Sequence, residues 1–345
     1  MSEASIPALV LDAFGLSPYT SYKPIGSGHI HQTYLVEDGK KFVLQRVNKN
    51  VFTKPEVIAT NNRIAANYLA KNFPEYLFPT ALPDKNGSEL VYDVEGYPWR
   101  VYPLIENTIT IDFVTSETEA WEAASGFGRL TRNLNEIDCS LFNPTLDRFH
   151  DLGWRYQQFE EELTSASDHV KEQVAEEIKL AIDFRYLVNE YNQLIQSGSL
   201  KQRVTHNDTK INNILFDRNS HKAVCVIDLD TLMPGYFIYD LGDMVRTCVS
   251  PVSEEERDVS KITFRKEIYD ALLTGYLSEM NSSMTLEERK AIPFAGKMMT
   301  YIMALRFLAD FLRGNTYYHI TYSDQNKVRA RNQLYLLKIL TEALH

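Results

Sequence analysis

At 345 residues, 44% hydrophobic and 24% charged, the chain is a folded globular protein larger than one hydrophobic core usually supports, which excludes a disordered or fibrous chain and favours two lobes. Its 36 basic and 46 acidic residues leave a net charge of −10, which argues against a nucleic-acid or anionic-membrane partner. Cys139, Cys225 and Cys248 have neither disulfide nor zinc spacing; with no basic-then-apolar leader and no run of about 18 apolar residues, the expectation is a cytoplasmic monomer that meets small molecules only.

In chain order, residues from about 20 to 103 read as strand-rich. Thr33 to Glu37 and Lys41 to Val47 are β-prone runs joined through Asp38-Gly39, a hairpin signal, and Gly26-Ser27-Gly28-His29 precedes the first of them. A helical pattern covers Lys54 to Ala70, and Ser88 to Tyr92 with Pro98 to Tyr102 read as two more strands around Glu95-Gly96. Ser116-x-x-Glu119 is a capping box opening a helix with Trp121, Ala124, Phe127, Leu130 and Leu134 on one face. A single long helix is expected from about Asp168, striped by Val170, Val174, Ile178, Ala181, Phe184, Leu187, Tyr191 and Leu194 and stopped at Gly198. Ile214 to Phe216 and Val224 to Ile227 form a hairpin, and helices return from about Ser260. The class is α+β, with an N-terminal lobe over 1–103 and a C-terminal lobe over 104–345.

The chemistry concentrates in His206-Asn207-Asp208-Thr209-Lys210-Ile211-Asn212-Asn213, followed by a strand that runs into Asp228-Leu229-Asp230. Phosphoryl transfer asks little covalent work of a protein: a base to orient the attacking hydroxyl and accept its proton, and oxygen ligands for Mg²⁺ on the phosphates of ATP. Asp208 suits the first role, Asn213 with Asp228 the second. Singly these are turn residues; the ordered set is what points to a kinase. His206 reads as a buried support of the loop. Lys210 either neutralises the transferring phosphoryl group or is a solvated lysine. Gly26, Ser27 and Gly28 would let backbone amides approach phosphate.

Two kinase features are poorly supplied. The strand Phe42-Val43-Leu44-Gln45-Arg46 has Gln45 or Arg46 where a phosphate-contacting lysine is expected, and the next helix offers only Glu56 as an acidic partner. Either Arg46 replaces the lysine or ATP is held by its metal and other groups. Asp240 and Asp243 lie near an expected helix start and read as structural caps. Arg306 and Asp310, four apart on one helical face, pair with each other or point into an acceptor pocket lined by aromatics such as Trp99, Tyr317 and Tyr318.

At these residues the chain resembles the aminoglycoside phosphotransferase and choline kinase superfamily, and within it most closely the kinases of N-acetylhexosamines. The likeness rests on Gly26 to Ile30 with Thr33 to Val36, on Trp99 to Tyr102, on Arg203 to Lys210, on Ile227 to Thr231 with Met233-Pro234-Gly235, and on Arg306 to Asp310. It implies a two-lobed protein-kinase-like fold, a small antiparallel sheet beside a mainly helical lobe. It also implies transfer of the ATP γ-phosphate to the anomeric hydroxyl of N-acetylglucosamine or N-acetylgalactosamine. By the same resemblance Asp230 lies close to the metal, His29, Asp208 and Arg306 contact the sugar, and Tyr102, Pro103, Leu104, Ile105 and Glu106 form the adenine hinge. Kinases of other small alcohols (choline-like, aminoglycoside or methylthioribose-like) and a nucleotide-binding pseudokinase are the alternatives; the intact Asp208, Asn213 and Asp228 weigh against the last.

Overall fold

Alternation of apolar and polar residues builds the first sheet, in a computed structural model that describes residues 6–26 and 30–344. Its elements are α1 (Ala8–Ala13), β1 (Ser21–Pro24), β2 (Gln32–Asp38), β3 (Lys40–Arg46), α2 (Pro55–Asn72), β4 (Val91–Tyr92) and β5 (Pro98–Pro103). The strands lie antiparallel in the order β1-β2-β3-β5-β4. Tyr34, Val36, Leu44, Trp99 and Val101 share one face and bury a core with Val10 and Leu11 of α1, a helix the sequence pattern did not announce. Trp99, expected to line an acceptor pocket, is only 2% exposed in this core and donates Nε1–H to Asp93 at 2.8 Å. Side chains one residue out of step, Thr33, Gln45 and Arg100, occupy the opposite face.

The chain continues through β6 (Thr108–Ile109), α3 (Glu117–Asn133), α4 (Leu152–Ser165), α5 (Asp168–Gln173), α6 (Ala175–Asp183), α7 (Tyr186–Gln196), β7 (Arg203–Thr205), β8 (Ile214–Asp217), β9 (Ala223–Val226), β10 (Met233–Gly235), α8 (Phe237–Cys248), α9 (Lys266–Met280), α10 (Leu286–Lys290), α11 (Ile292–Arg313) and α12 (Gln325–Ala343). Strands β6, β8 and β9 form one small antiparallel sheet, and β7 pairs with β10. Together the two lobes make a mixed α+β fold.

Helix α3 starts at Ser116 as expected, with Ser116 Oγ accepting the Glu119 N–H at 3.2 Å. The Glu119 carboxylate, however, reaches the N–H of Thr115, one residue further back than a capping box requires. Ala124, Phe127, Leu130 and Leu134 are buried, while Trp121 stays part exposed; a Cβ on Gly275 of α9 would lie 2.4 Å from the Trp121 carbonyl oxygen, so glycine permits the close α3–α9 contact. The single helix expected from Asp168 is three. It breaks at Val174 and again at Phe184 and Arg185, and Gly198, at φ 67, follows the last of them. The apolar stripe survives the breaks because each short helix keeps its buried side on the same core. Helix α11 runs through the centre of the lobe, buried nearly all round from Phe294 to Leu312. No helix among the described residues is long and apolar enough to cross a membrane.

Candidate active site

Beyond β7 the chain turns sharply, with Asn207 in the left-handed region at φ 66, a conformation asparagine tolerates. Hydrogen bonds fix it there. The Asn207 side-chain amide donates to the carbonyls of Thr205 at 3.0 Å and Thr231 at 2.9 Å, and its N–H donates to Asp240 Oδ1 at 2.7 Å. Asp240 also accepts the His206 N–H at 3.1 Å, and its carbonyl accepts the Thr209 hydroxyl at 2.6 Å. Asp240 therefore caps the turn that carries Asp208 and not its own helix, while Asp243 pairs with Arg246 at 2.8 Å. A Cβ on Gly235 would lie 2.2 Å from Thr205 Oγ1 and 2.7 Å from Asn207 Oδ1, which explains the glycine in Met233-Pro234-Gly235.

His206 accepts the Asp208 N–H at Nδ1, 3.2 Å away, and donates Nε2–H to the Ile227 carbonyl at 2.9 Å. An amide N–H only donates and a carbonyl only accepts, so the ring is neutral with both nitrogens occupied, and it supports the loop as expected. The Asp208 carboxylate accepts from Asn213 Nδ2 at 3.3 Å and lies 3.3 Å from Lys210 Nζ. Burial is the largest single influence and would raise its pKa, but Lys210 foremost, with Arg246 and the other positive surroundings, together hold the carboxyl below its ordinary range; Asp208 raises Lys210 in return.

Asp228 follows β9 in the left-handed region, φ 59 and ψ 57, and its carboxylate makes no hydrogen bond or ion pair among the described residues. Although the residue is exposed to the cleft, desolvation by the groups packed around it, then the charges of Asp230 and Asp208, push its pKa up, a repulsion that a cation would relieve. Asn213 donates Nδ2–H to the Asp208 carbonyl at 2.8 Å, which leaves its Oδ1 as an acceptor. The Ile227 N–H donates to the Asn213 carbonyl at 2.9 Å and so ties the two segments together, and a carboxylate and an amide oxygen with no partner among the described residues are the kind of hard oxygen donors that a dication such as Mg²⁺ takes.

Asp230, expected close to the metal, lies beside Asp228 with both carboxylate oxygens facing cationic or N–H groups. Its Oδ1 lies 2.6 Å from Arg100 Nη1 and its Oδ2 2.8 Å from His31 Nε2, and Arg100 above all holds it well below the usual carboxylate range against the opposing effect of burial. Ligand atoms of His31, Asp228 and Asp230 lie within 4.8 Å of one another. His31 is nevertheless no metal ligand in this arrangement, because its Nδ1 accepts the Asn48 N–H at 3.0 Å and the ring proton therefore sits on Nε2, facing Asp230.

Arg46, expected at the phosphates, is on the wrong face of the sheet for them. It pairs with Glu95 at 2.6 Å and Asp93 at 3.5 Å, with its guanidinium 3.5 Å over the Tyr97 ring. Strand alternation gives the reason: Gln45 faces the cleft, so Arg46 cannot. Of the expected hinge, Leu104 donates its N–H to Lys41 at 3.1 Å and Ile105 accepts from Thr108 Oγ1 at 2.7 Å, continuing the turn that begins at Pro103. The Tyr102 ring lies deep in the cleft, 5.6 Å from the Arg100 guanidinium; burial, with Asp230 and Asp228 adding to it against Arg100, pushes its hydroxyl up to about 12. Gly26, at φ 83, follows the last pairing of Ile25 with Thr33. Ser27, Gly28 and His29 lie outside the described residues.

On the far side of the catalytic loop a cleft of about 260 Å³ opens between α4 and α11, lined among others by Phe149, Trp154, Arg155, Arg306, Tyr317 and Tyr318. Arg306 does not pair with Asp310. Its guanidinium lies 5.2, 5.6 and 5.8 Å from the rings of Phe149, Tyr318 and Tyr317, while Asp310 accepts the N–H groups of Thr316, Tyr317 and Tyr318 and the Asn326 amide. Asp310 thus presents the tyrosines that surround Arg306. Arg155 donates to the Phe149 carbonyl and to Gln158. His150, between this cleft and the loop, donates Nε2–H to the Asn207 carbonyl at 2.7 Å; burial, with Arg306 and Arg155 adding to it, lowers its pKa to about 3. The sequence reading missed His150, Arg100 and His31. The first carried no motif, and the other two act through partners distant in the chain.

A model of the APH phosphotransferase enzyme family matches residues 21–277. Similar solved structures include a microcompartment-associated aminopropanol kinase (16% identity, 97% of each chain covered, TM-score 0.63). An amicoumacin kinase in complex with AMP-PNP, Ca²⁺ and Ami is 13% identical, with 95% of this chain and 91% of that one covered and a TM-score of 0.62. A spectinomycin phosphotransferase in complex with ADP and spectinomycin is 12% identical over 97% of each chain, TM-score 0.62. At these identities the likeness is one of fold.

Proposed function

This chain belongs to the APH phosphotransferase enzyme family, and we propose that within it the protein is an ATP- and Mg²⁺-dependent kinase that phosphorylates the anomeric C1 hydroxyl of N-acetylhexosamines, GlcNAc or GalNAc, to give the sugar 1-phosphate. The observation that carries the acceptor class is the charge of the cleft. Its carboxylate Asp310 is taken up by backbone amides, Arg313 is paired with Glu162, and Asp147 is exposed, which leaves Arg155 and Arg306 without an acidic partner among the described residues. Such a cleft repels an aminoglycoside or a choline-like cation and suits a neutral acceptor rich in oxygen. The Tyr318 hydroxyl, buried and without a partner among the described residues, offers such an acceptor a hydrogen bond. Trp154, Phe149, Tyr317 and Tyr318 supply flat faces for the apolar side of a sugar ring.

In this reading Asp208 orients the sugar hydroxyl toward the γ-phosphorus. As the new P–O bond forms and the bond to the β-phosphate oxygen breaks, the hydroxyl proton passes to the Asp208 carboxylate and ADP leaves. With its pKa held low by Lys210, Asp208 takes the proton late, after the hydroxyl oxygen has begun to bond. Lys210 stands where it can offset charge on the transferring group. Asn213 and Asp228 would hold Mg²⁺, which supplies neutralisation of charge on the phosphate oxygens.

The test is ATP consumption with Mg²⁺ over a panel of GlcNAc, GalNAc, glucose, galactose, choline, an amino alcohol and an aminoglycoside, with the product located by phosphorus NMR. Turnover confined to N-acetylhexosamines, with phosphate on C1, is expected. Turnover with the cationic acceptors alone would overturn the acceptor class, and no turnover with any of them would overturn the kinase reading.

A further inference from the structure

The sheet face that looks into the cleft lacks the lysine a kinase places on β3, yet it does not lack a cation. Arg100 of β5 stands directly across from Gln45 of β3 in the strand register. Gln45 Nε2 donates to Thr33 Oγ1 at 3.2 Å, which fixes the amide with Oε1 toward Arg100, and that oxygen accepts Arg100 Nε–H at 2.8 Å and a second bond from Nη2. Nη1 lies 2.6 Å from Asp230 Oδ1. Three of the five guanidinium N–H groups are accounted for in this way, and the other two have no acceptor among the described residues. Helix α2 supplies no acid beside this guanidinium: Asn62 lines the same small cavity as Arg100 and Tyr102. The counter-charge comes from the metal-site turn, where Asp230 pairs with Arg100 and Asp228 is near enough for its charge to act on it.

We propose that Arg100 is the cation that binds the nucleotide's β- and γ-phosphates, delivered from β5 in place of a β3 lysine, with Gln45 as its positioning residue and Asp230 as its counter-ion. The inference rests on the kinase reading above. A guanidinium with two free N–H groups matches two phosphate oxygens. Because its counter-ion sits two residues from Asp228, phosphate binding is coupled to the metal-site turn and not to a movement of α2.

The experiment is titration calorimetry on the full chain, in EDTA and without acceptor, with ATP, ADP, AMP and adenosine. Arg100→Met is expected to weaken ATP and ADP about tenfold or more while adenosine binding stays within about twofold. Gln45→Lys in the Arg100→Met background restores a cation on the same face from β3 and is expected to recover ATP and ADP affinity selectively. Equal losses for ATP and adenosine, or no loss for ATP, would overturn the proposal. Should Arg100→Met fail to fold, Arg100→Lys, which keeps the charge but not the planar fork, decides: selective weakening of ATP and ADP against adenosine supports the proposal, and ATP affinity within about twofold of the wild type sinks it. Wild-type protein that binds no ATP even with Mg²⁺ would count against the kinase reading itself, whereas wild-type binding that survives in Arg100→Met counts against Arg100 alone.

Discussion

The two walls of the cleft hold their charged groups by different means. On the helical side, the turn that carries Asp208 is fixed at nearly every residue: Asp240 takes the N–H groups of His206 and Asn207, His206 bridges Asp208 to Ile227, and His150 closes on the Asn207 carbonyl. On the sheet side, one guanidinium is aimed by one glutamine and balanced by one carboxylate. A wall fixed at many points tolerates the loss of a single contact in its geometry but not the loss of its central carboxylate. A wall fixed by one pair can be rebuilt by moving the charge to the neighbouring strand.

The largest effect should come from Asp208→Ala, which removes the proposed base and leaves the surrounding turn in place. Turnover is expected to fall by roughly 10³-fold or more while nucleotide affinity changes little, read from steady-state rates beside calorimetry. Near-wild-type turnover would remove Asp208 from its role. Next in size is Asp240→Ala, which leaves two buried N–H groups without acceptors and costs on the order of 3 kcal/mol in urea unfolding. Activity should fall with it even where the protein is still folded, because the turn loses its anchor. A variant that loses stability but keeps full turnover would show that the turn holds its shape without Asp240.

How much of this was legible in the sequence follows the same division. Asp208, Asn213 and Asp228 belong to one loop and one hairpin, so their spacing along the chain is also their arrangement in space. Arg100 could not be found that way. Its relation to Gln45 is a strand register across 55 positions, and its relation to Asp230 crosses from one lobe to the other. The same blindness placed Arg46 at the phosphates, since a one-residue difference in a strand moves a side chain to the other face. The expected helix from Asp168 failed for the opposite reason: three short helices with one buried side each repeat the period of a single long one, and nothing in Val174 or Phe184 marks a bend. The overall class survived because the hairpin at Asp38-Gly39, the helix start at Ser116 and the β8–β9 hairpin are all local signals.

Arg306→Met tests the acceptor side at a smaller scale. It leaves an unbranched side chain among Phe149, Tyr317 and Tyr318 and removes the guanidinium that lies over their rings. The KM for the sugar should rise about tenfold with less change in kcat, since a contact made equally in ground and transition states affects binding alone. A fall in kcat with KM unchanged would move Arg306 from acceptor binding to the chemical step.

The effect that is smallest at neutral pH concerns His150, which backs the turn that carries Asp208 and meets the acceptor cleft. Its folded pKa, lowered to about 3 by burial and by Arg306 and Arg155, lies below the unfolded value of about 6.5, so the unfolded chain binds the extra proton first as pH falls. The neutral ring's contribution is therefore complete above about pH 6.5 and is lost progressively toward pH 3, at no more than about 1.4 kcal/mol per pH unit. His150→Gln, whose amide can still donate to the Asn207 carbonyl, has no such proton to take up. Between pH 6.5 and 4 its urea midpoint should decline less steeply than that of the wild type, even if it starts lower at neutral pH. Parallel declines would mean that His150 does not set the acid sensitivity of the turn and that the carboxylates around Asp208 do.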